Sequence, residues 1–174
     1  MLVIPTIIVS IVGFIFYEVP SNRYVTTVRL SAALTPDNRM STSSTQFDTT
    51  YYSWLSSEYL VSGLSDWAMT GAFASAVSEK LEGDKVYITA SMVQNSINSD
   101  YVRSEVVLYV NSSDADHTSK IANAAIRVMQ EQNETVFPQL GGRNATVVAL
   151  DEPLVTLASP RLTQYLELLI RVST

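Results

Sequence analysis

The sequence predicts an α+β protein: a membrane-anchored domain with one four-stranded sheet and helices packed on it. Three observations lead there. Alternating and helix-periodic stretches interleave in the order β-α-α-β-β-α-β, a split pattern that closes into a single sheet covered by helices. An uncharged run, MLVIPTIIVSIVGFIFY, precedes the first of them. About 155 residues follow that run, enough for one domain with a real core.

The opening run, residues 1–17, has three competing readings. A membrane-spanning helix needs about 20 apolar residues, and Leu2 to Tyr17 would rise only about 24 Å as a helix, slightly short. A secretion signal should carry a basic start and a small-residue cleavage site. Here no Lys or Arg precedes Arg23, and Glu18-Val19-Pro20-Ser21-Asn22 has no A-x-A pattern. A core helix should be amphipathic, and this run is apolar all round. The anchor reading is preferred, with the missing basic flank suggesting that the chain starts inside its span.

Arg23 to Ala32 alternates as a strand, with Tyr24, Val28, Leu30 and Ala32 on one face. Thr35 to Thr45 is a polar, Pro-bearing loop. Asp48 to Leu81 is helical and breaks at Thr70-Gly71, giving helices over about 48–69 and 71–82. Trp54, Val61, Leu64 and Ala68 form one stripe of the first helix, widened by Leu55, Tyr59 and Leu60; Phe73, Val77 and Leu81 follow the period of the second. Glu82-Gly83-Asp84 ends it.

Lys85 to Val93 reads as a strand with Val86, Ile88, Ala90 and Met92 inward, and NSINSD, residues 95–100, as a turn. Tyr101 to Val110 is then the second arm of a hairpin, with Val102, Val106, Leu108 and Val110 inward. Ser113 to Gln132 is an amphipathic helix opened by a Ser113/Asp116 capping box, with Ile121, Ala125, Val128 and Met129 in its apolar stripe. Gly141-Gly142 sits in a loop, Asn144 to Leu150 is the last strand, and Asp151 to Pro160 is extended by its prolines. Arg161 to Val172 closes the chain as a short helix. The domain organisation expected is therefore an anchor at 1–17, an extracytoplasmic domain at 18–160, and a C-terminal helix at 161–174 leading towards a second span.

Net charge is −6 with a pI near 4.7, and no basic stripe exists, so nucleic acid is not an expected partner. The absence of cysteine excludes disulfides, thiolate metal sites and thiol nucleophiles. Three N-x-S/T sequons, at Asn111, Asn133 and Asn144, are expected by chance in so Ser-, Thr- and Asn-rich a chain. The single histidine, His117, stands in a helix first turn without a partner cluster nearby in sequence. Neither a phosphate-cradling glycine motif nor a G-x-S-x-G elbow occurs, and Gly141-Gly142-Arg143 leads into a strand rather than a helix. The carboxylate pairs Asp114/Asp116 and Asp151/Glu152 lie in polar turns, whereas acid/base work needs one member desolvated. No catalytic, cofactor-binding or metal-ligating residue is assigned. The run Tyr51, Tyr52, Trp54, Tyr59, Trp67 reads mainly as core and helix contact, with a sugar-stacking platform as the alternative.

YYSWLSSEYLVSGLSDWAMTGAFASAV and SSDADHTSKIANAAIRVMQEQ resemble two helical regions of the polysaccharide co-polymerases, the chain-length determinant family. RYVTTVRLSAAL after the apolar run and FPQLGGRNATVVALDEPLVTLASPRL resemble its first strand and its approach to a second span. His117 stands where the family usually has Pro, the long helical hairpin of the family has no room, and no kinase tail follows. The resemblance implies a non-enzymatic cell-membrane protein with its domain outside and two spans in the full protein. It implies a homo-oligomeric ring that sets the length or export of a surface polysaccharide beside its polymerase, without a cofactor. Trp54, Tyr59 and Trp67 are the expected interface residues, since Asp48 to Leu81 is apolar on more than one side; Tyr51 and Tyr52 are candidates for ligand stacking. The alternative is a membrane-anchored sugar- or peptide-binding module.

Overall fold

The computed structural model describes residues 23–34, 49–137 and 145–158, apart from the side chains of 49–53 and 135. The expected span at 1–17, the polar loop at 35–45, the Gly141-Gly142 loop and the helix at 161–174 lie outside the described residues. Among those that are described, no helix is long and apolar enough to cross a membrane.

Residues Arg23–Ala158 make one compact α+β unit. Strand β1 (Arg23–Ala33) leads to helices α1 (Thr49–Ala68), α2 (Gly71–Gly83) and α3 (Ala90–Ser96). The hairpin of β2 (Ile97–Val102) and β3 (Glu105–Ser112) follows, then α4 (Ala115–Val136), β4 (Thr146–Ala149) and β5 (Thr156–Ala158). All strand pairs are antiparallel, in the order β2-β3-β1-β4. This is the order of two interleaved split β-α-β units. Among the described residues the sheet has five strands rather than the expected four, because β5 also pairs with β1, at Arg23–Val25, while β4 pairs at Leu30–Ala33.

β1 buries the face its alternation marks: Val28 and Leu30 are wholly inaccessible and Ala32 nearly so. On β3, Val106, Leu108 and Val110 do the same and stand opposite Leu30, Val28 and Thr26. The α4 stripe of Ile121, Ala125, Val128 and Met129 completes this core. From α1 and α2 come Val61, Leu64, Phe73, Val77 and Leu81.

The break between the first two helices is where the sequence puts it. Thr70 caps α2, its hydroxyl accepting the Phe73 N–H at 3.2 Å and donating to the Trp67 carbonyl at 2.8 Å. Gly63 has a packing reason to sit inside α1. A Cβ there would come within 2.7 Å of the Phe137 ring, so the glycine seats the residue that ends α4. The end of α2 runs past Gly83. Lys85 takes the left-handed backbone (φ 62°) while its N–H reaches the Glu82 carbonyl and that of Val86 reaches Leu81, both at 2.9 Å.

Residues 85–100 correct the sequence reading. Lys85 to Val93 is not a strand: Thr89 caps α3 through the Met92 N–H, and the Ser78 hydroxyl occupies the Ile88 carbonyl at 2.6 Å. Ile88 is buried, but Met92 is half exposed and Ala90 intermediate, so the inward alternation fails. NSINSD is no turn but the end of α3 and the start of β2. The hairpin turns instead at Arg103-Ser104, with Arg103 at φ 56°, which divides the expected Tyr101–Val110 strand and leaves Val102 exposed. The α4 cap is Asp114 rather than Ser113; its carboxylate accepts the His117 N–H at 2.8 Å, and this bond holds the carboxyl below its ordinary range. β4 is also shorter than the expected 144–150 strand.

Candidate functional site

Among the described residues, helices cover one face of the sheet and leave the other bare. On the bare face Thr27 stands opposite Tyr109, Arg29 opposite Val107 and Ser31 opposite Glu105. Arg29 is the electrostatic centre of this face. Its Nε donates to Asp151 at 2.8 Å, its Nη2 to the same carboxylate at 3.3 Å, and Glu105 lies 3.8 Å from Nη1. The hydrogen bond with Asp151 raises the guanidinium further above its ordinary value and lowers the Asp151 carboxyl. The bridge fixes the chain just after β4, where the Leu150 N–H also donates to the Arg29 carbonyl at 2.8 Å. The pair is half exposed, so its role is alignment of strands more than stability.

The two edges of the sheet are finished differently. On β2 the Ser99 N–H meets Asn98 Oδ1 at 2.9 Å and Met69 Sδ at 3.2 Å, and the Tyr101 N–H meets Asp100 Oδ1 at 2.8 Å. The Ile97 N–H is held by the Val93 carbonyl. Donors that an added strand would need are thus already occupied. On the other side β5 pairs Ala158 with Arg23, so the first and last residues of the compact unit are direct neighbours.

Trp54 and Tyr59 are exposed on α1, to 50% and 74%. Trp67 is not a surface residue: it is buried and sets its ring edge-on to Phe73, centroids 4.8 Å apart, at the junction of α1 and α2. It is a core residue of the subunit, because the Thr70 cap turns α2 back over that side of α1. Tyr51 and Tyr52 fall within α1, but their side chains lie outside the described residues. Trp54 and Tyr59 point in different directions, being five residues apart on a helix of 3.6 per turn, so they form no joint platform.

The remaining sequence candidates are accounted for locally. Asp114 is a helix cap and Asp151 an arginine partner. Among the described residues no group of three His, Asp or Glu side chains could hold a metal ion. The sequon residue Asn133 is wholly buried, its Nδ2 donating to the Met129 and Ala145 carbonyls at 2.8 and 3.1 Å and its Oδ1 accepting the Ala145 N–H at 2.7 Å. It is a structural pin between α4 and the start of β4, closed to glycosylation in the folded chain. Asn144 lies outside the described residues. No protein-family model matches the chain, and no curated protein is significantly similar to it.

Proposed function

We infer that the chain is a membrane-tethered extracytoplasmic domain that assembles side by side with copies of itself and regulates the length or export of a surface polysaccharide, without chemistry of its own. The observation that carries this reading is the pairing of Arg23 with Ala158. A domain held between two membrane segments must release both ends towards one surface, and these ends are adjacent strand partners. The uncharged run at 1–17 supplies a candidate for the first segment. The occupied edge of β2 argues that assembly uses side-chain surfaces, with Trp54 and Tyr59 of α1 as candidates, rather than strand addition.

Native mass in detergent tests assembly. The parent should run as a multimer, and Trp54→Glu or Tyr59→Glu should shift it to smaller species with unchanged circular dichroism. A monomeric parent would overturn the oligomer. Membrane fractionation tests the tether: Ile11→Arg with Phe14→Arg should release or destabilise the protein, since each charge at a helix centre costs about 2.5–3.5 kcal/mol. A binding module for sugar or peptide is the second reading, resting on Trp54 or Tyr59 as a single exposed aromatic contact rather than on a joint platform.

A further inference from the structure

The end of α1 meets the edge of the sheet at Ser99. Met69 directly follows α1 and is 48% exposed. Its Sδ accepts the Ser99 N–H of β2 at 3.2 Å, a donor that Asn98 Oδ1 shares at 2.9 Å. One turn earlier, the buried Ser65 meets the Ser99 side chain, hydroxyl to hydroxyl at 2.9 Å. The last turn of α1 thus clamps Ser99 twice, once at its hydroxyl and once at its backbone donor.

The clamp matters because β2 ends the strand order. An edge strand must keep its outward donors occupied or invite another chain to pair with it. The Ile97 N–H is held by a backbone carbonyl and the Tyr101 N–H by a carboxylate, groups that a mild oxidant leaves unchanged. At Ser99 one of the two acceptors is a thioether, which a peroxide converts to a sulfoxide. Thioether sulfur is a weak acceptor. It has a second lone pair besides the one turned to Ser99, and half of the side chain is open to solvent. After oxidation the sulfur carries an oxygen, and a 3.2 Å contact leaves no room for it between sulfur and nitrogen. The sulfoxide is also far more polar than the thioether, which favours its withdrawal into water. The exposed Asn98 side chain is then left to hold the donor alone.

We propose that Met69 is a peroxide-sensitive modification site whose oxidation to the sulfoxide releases the Ser99 N–H and loosens the edge of β2. In the step, a sulfur lone pair attacks one oxygen of hydrogen peroxide. The S–O bond forms as the O–O bond breaks, and the departing hydroxide takes the proton of the transferred oxygen and leaves as water. Sulfur loses two electrons and the peroxide gains them. The site depends on neither the tether nor the assembly.

The test treats the full chain in detergent micelles with hydrogen peroxide and follows each methionine by peptide mass mapping. Met69 should gain one oxygen at a rate within about tenfold of that of Met92, since susceptibility follows exposure. Met92 is 51% exposed, whereas Met129 is wholly buried and should stay reduced. Amide exchange at Ser99, read by NMR, should rise at least about twofold on oxidation, as loss of one weak hydrogen bond requires. Methionine sulfoxide reductases should reverse it. Met69→Leu keeps the bulk without the sulfur. Its Ser99 amide should exchange at the faster rate from the start and ignore peroxide, while Met92→Leu should respond as the parent does. The proposal is overturned by a Met69 that stays reduced while Met92 is fully oxidised, by Ser99 exchange that oxidation leaves unmoved, or by a peroxide response that survives in Met69→Leu.

Discussion

The two faces of the sheet are made from the same strands and obey different rules. Under the helices, Val28, Leu30, Val106, Leu108 and Val110 leave almost nothing to solvent. On the other side, the alternate residues of the same strands hold Thr27, Arg29, Glu105 and Tyr109, with Val107 alone buried. The covered face takes its stability from removing apolar area from water, about 25 cal/mol per Å². The bare face contributes alignment through half-exposed ion pairs, which are individually weak. A change of one residue in sequence position should therefore change a mutation's effect from fatal to negligible.

The largest expected effect is Val106→Asp. It forces a carboxylate among fully buried neighbours and should cost more than about 4 kcal/mol, enough to abolish folding. Its sequence neighbour Glu105→Gln should stay within about 0.5 kcal/mol. Thermal melts of the pair are the direct check, and comparable losses would mean that the faces are not distinct in energy. Asn133→Ala comes next. It leaves the Ala145 N–H and C=O without their buried partner and should cost about 2–4 kcal/mol, read by denaturant titration. Asn133→Asp should rescue little, because the carboxylate has no N–H to offer two carbonyls.

Gly63→Ala is a smaller test of packing above the covered face. Helix propensity favours alanine by about 1 kcal/mol, yet the new Cβ meets the Phe137 ring at 2.7 Å. A net loss of about 1 kcal/mol is expected, and a gain would show that the ring moves aside without cost. Thr26→Val sharpens the rule from the opposite direction. Among the described residues the Thr26 hydroxyl is buried without a hydrogen-bond partner on the covered face, so its removal should stabilise by up to about 1 kcal/mol. The smallest effect belongs to pH. Asp151 titrates below its ordinary value of 3.8 because Arg29 hydrogen-bonds its charged form. The folded-state pKa is depressed, so this contribution is present above pH 3.8 and fades as pH falls through the lowered value. Asp151→Asn should flatten the acid limb of the melting-temperature profile slightly and leave neutral stability nearly unchanged.

The same contrast explains what could be read without coordinates. Elements whose pattern is carried by one partner only were legible: β1 alternates cleanly, and α4 has one apolar stripe. The break at Thr70-Gly71 was legible too, because a capping hydroxyl is a local signal. Residues 85–100 were not. Val86, Ile88, Ala90 and Met92 alternate as a strand would, but the side chains of Ser78 and Thr89 claim the local backbone groups and turn the stretch into a coil and a short helix. Trp67 was assigned to a surface for a similar reason, since α1 is apolar on more than one side and only the fold of α2 against it says which side is closed.

The candidate sites divide in the same way. By itself the sequence determined the α+β class, the single sheet, the acidic surface, the uncharged run at 1–17 and the main apolar stripes, because these depend on composition and on periods of two and 3.6 residues. Tertiary structure decided the fifth strand, the adjacency of Arg23 and Ala158, the pin at Asn133 and the ion pair of Arg29 with Asp151. Each joins residues far apart in the chain through hydrogen bonds or helix packing. No local period encodes such a meeting, since its free energy exists only once the intervening chain has closed its loop.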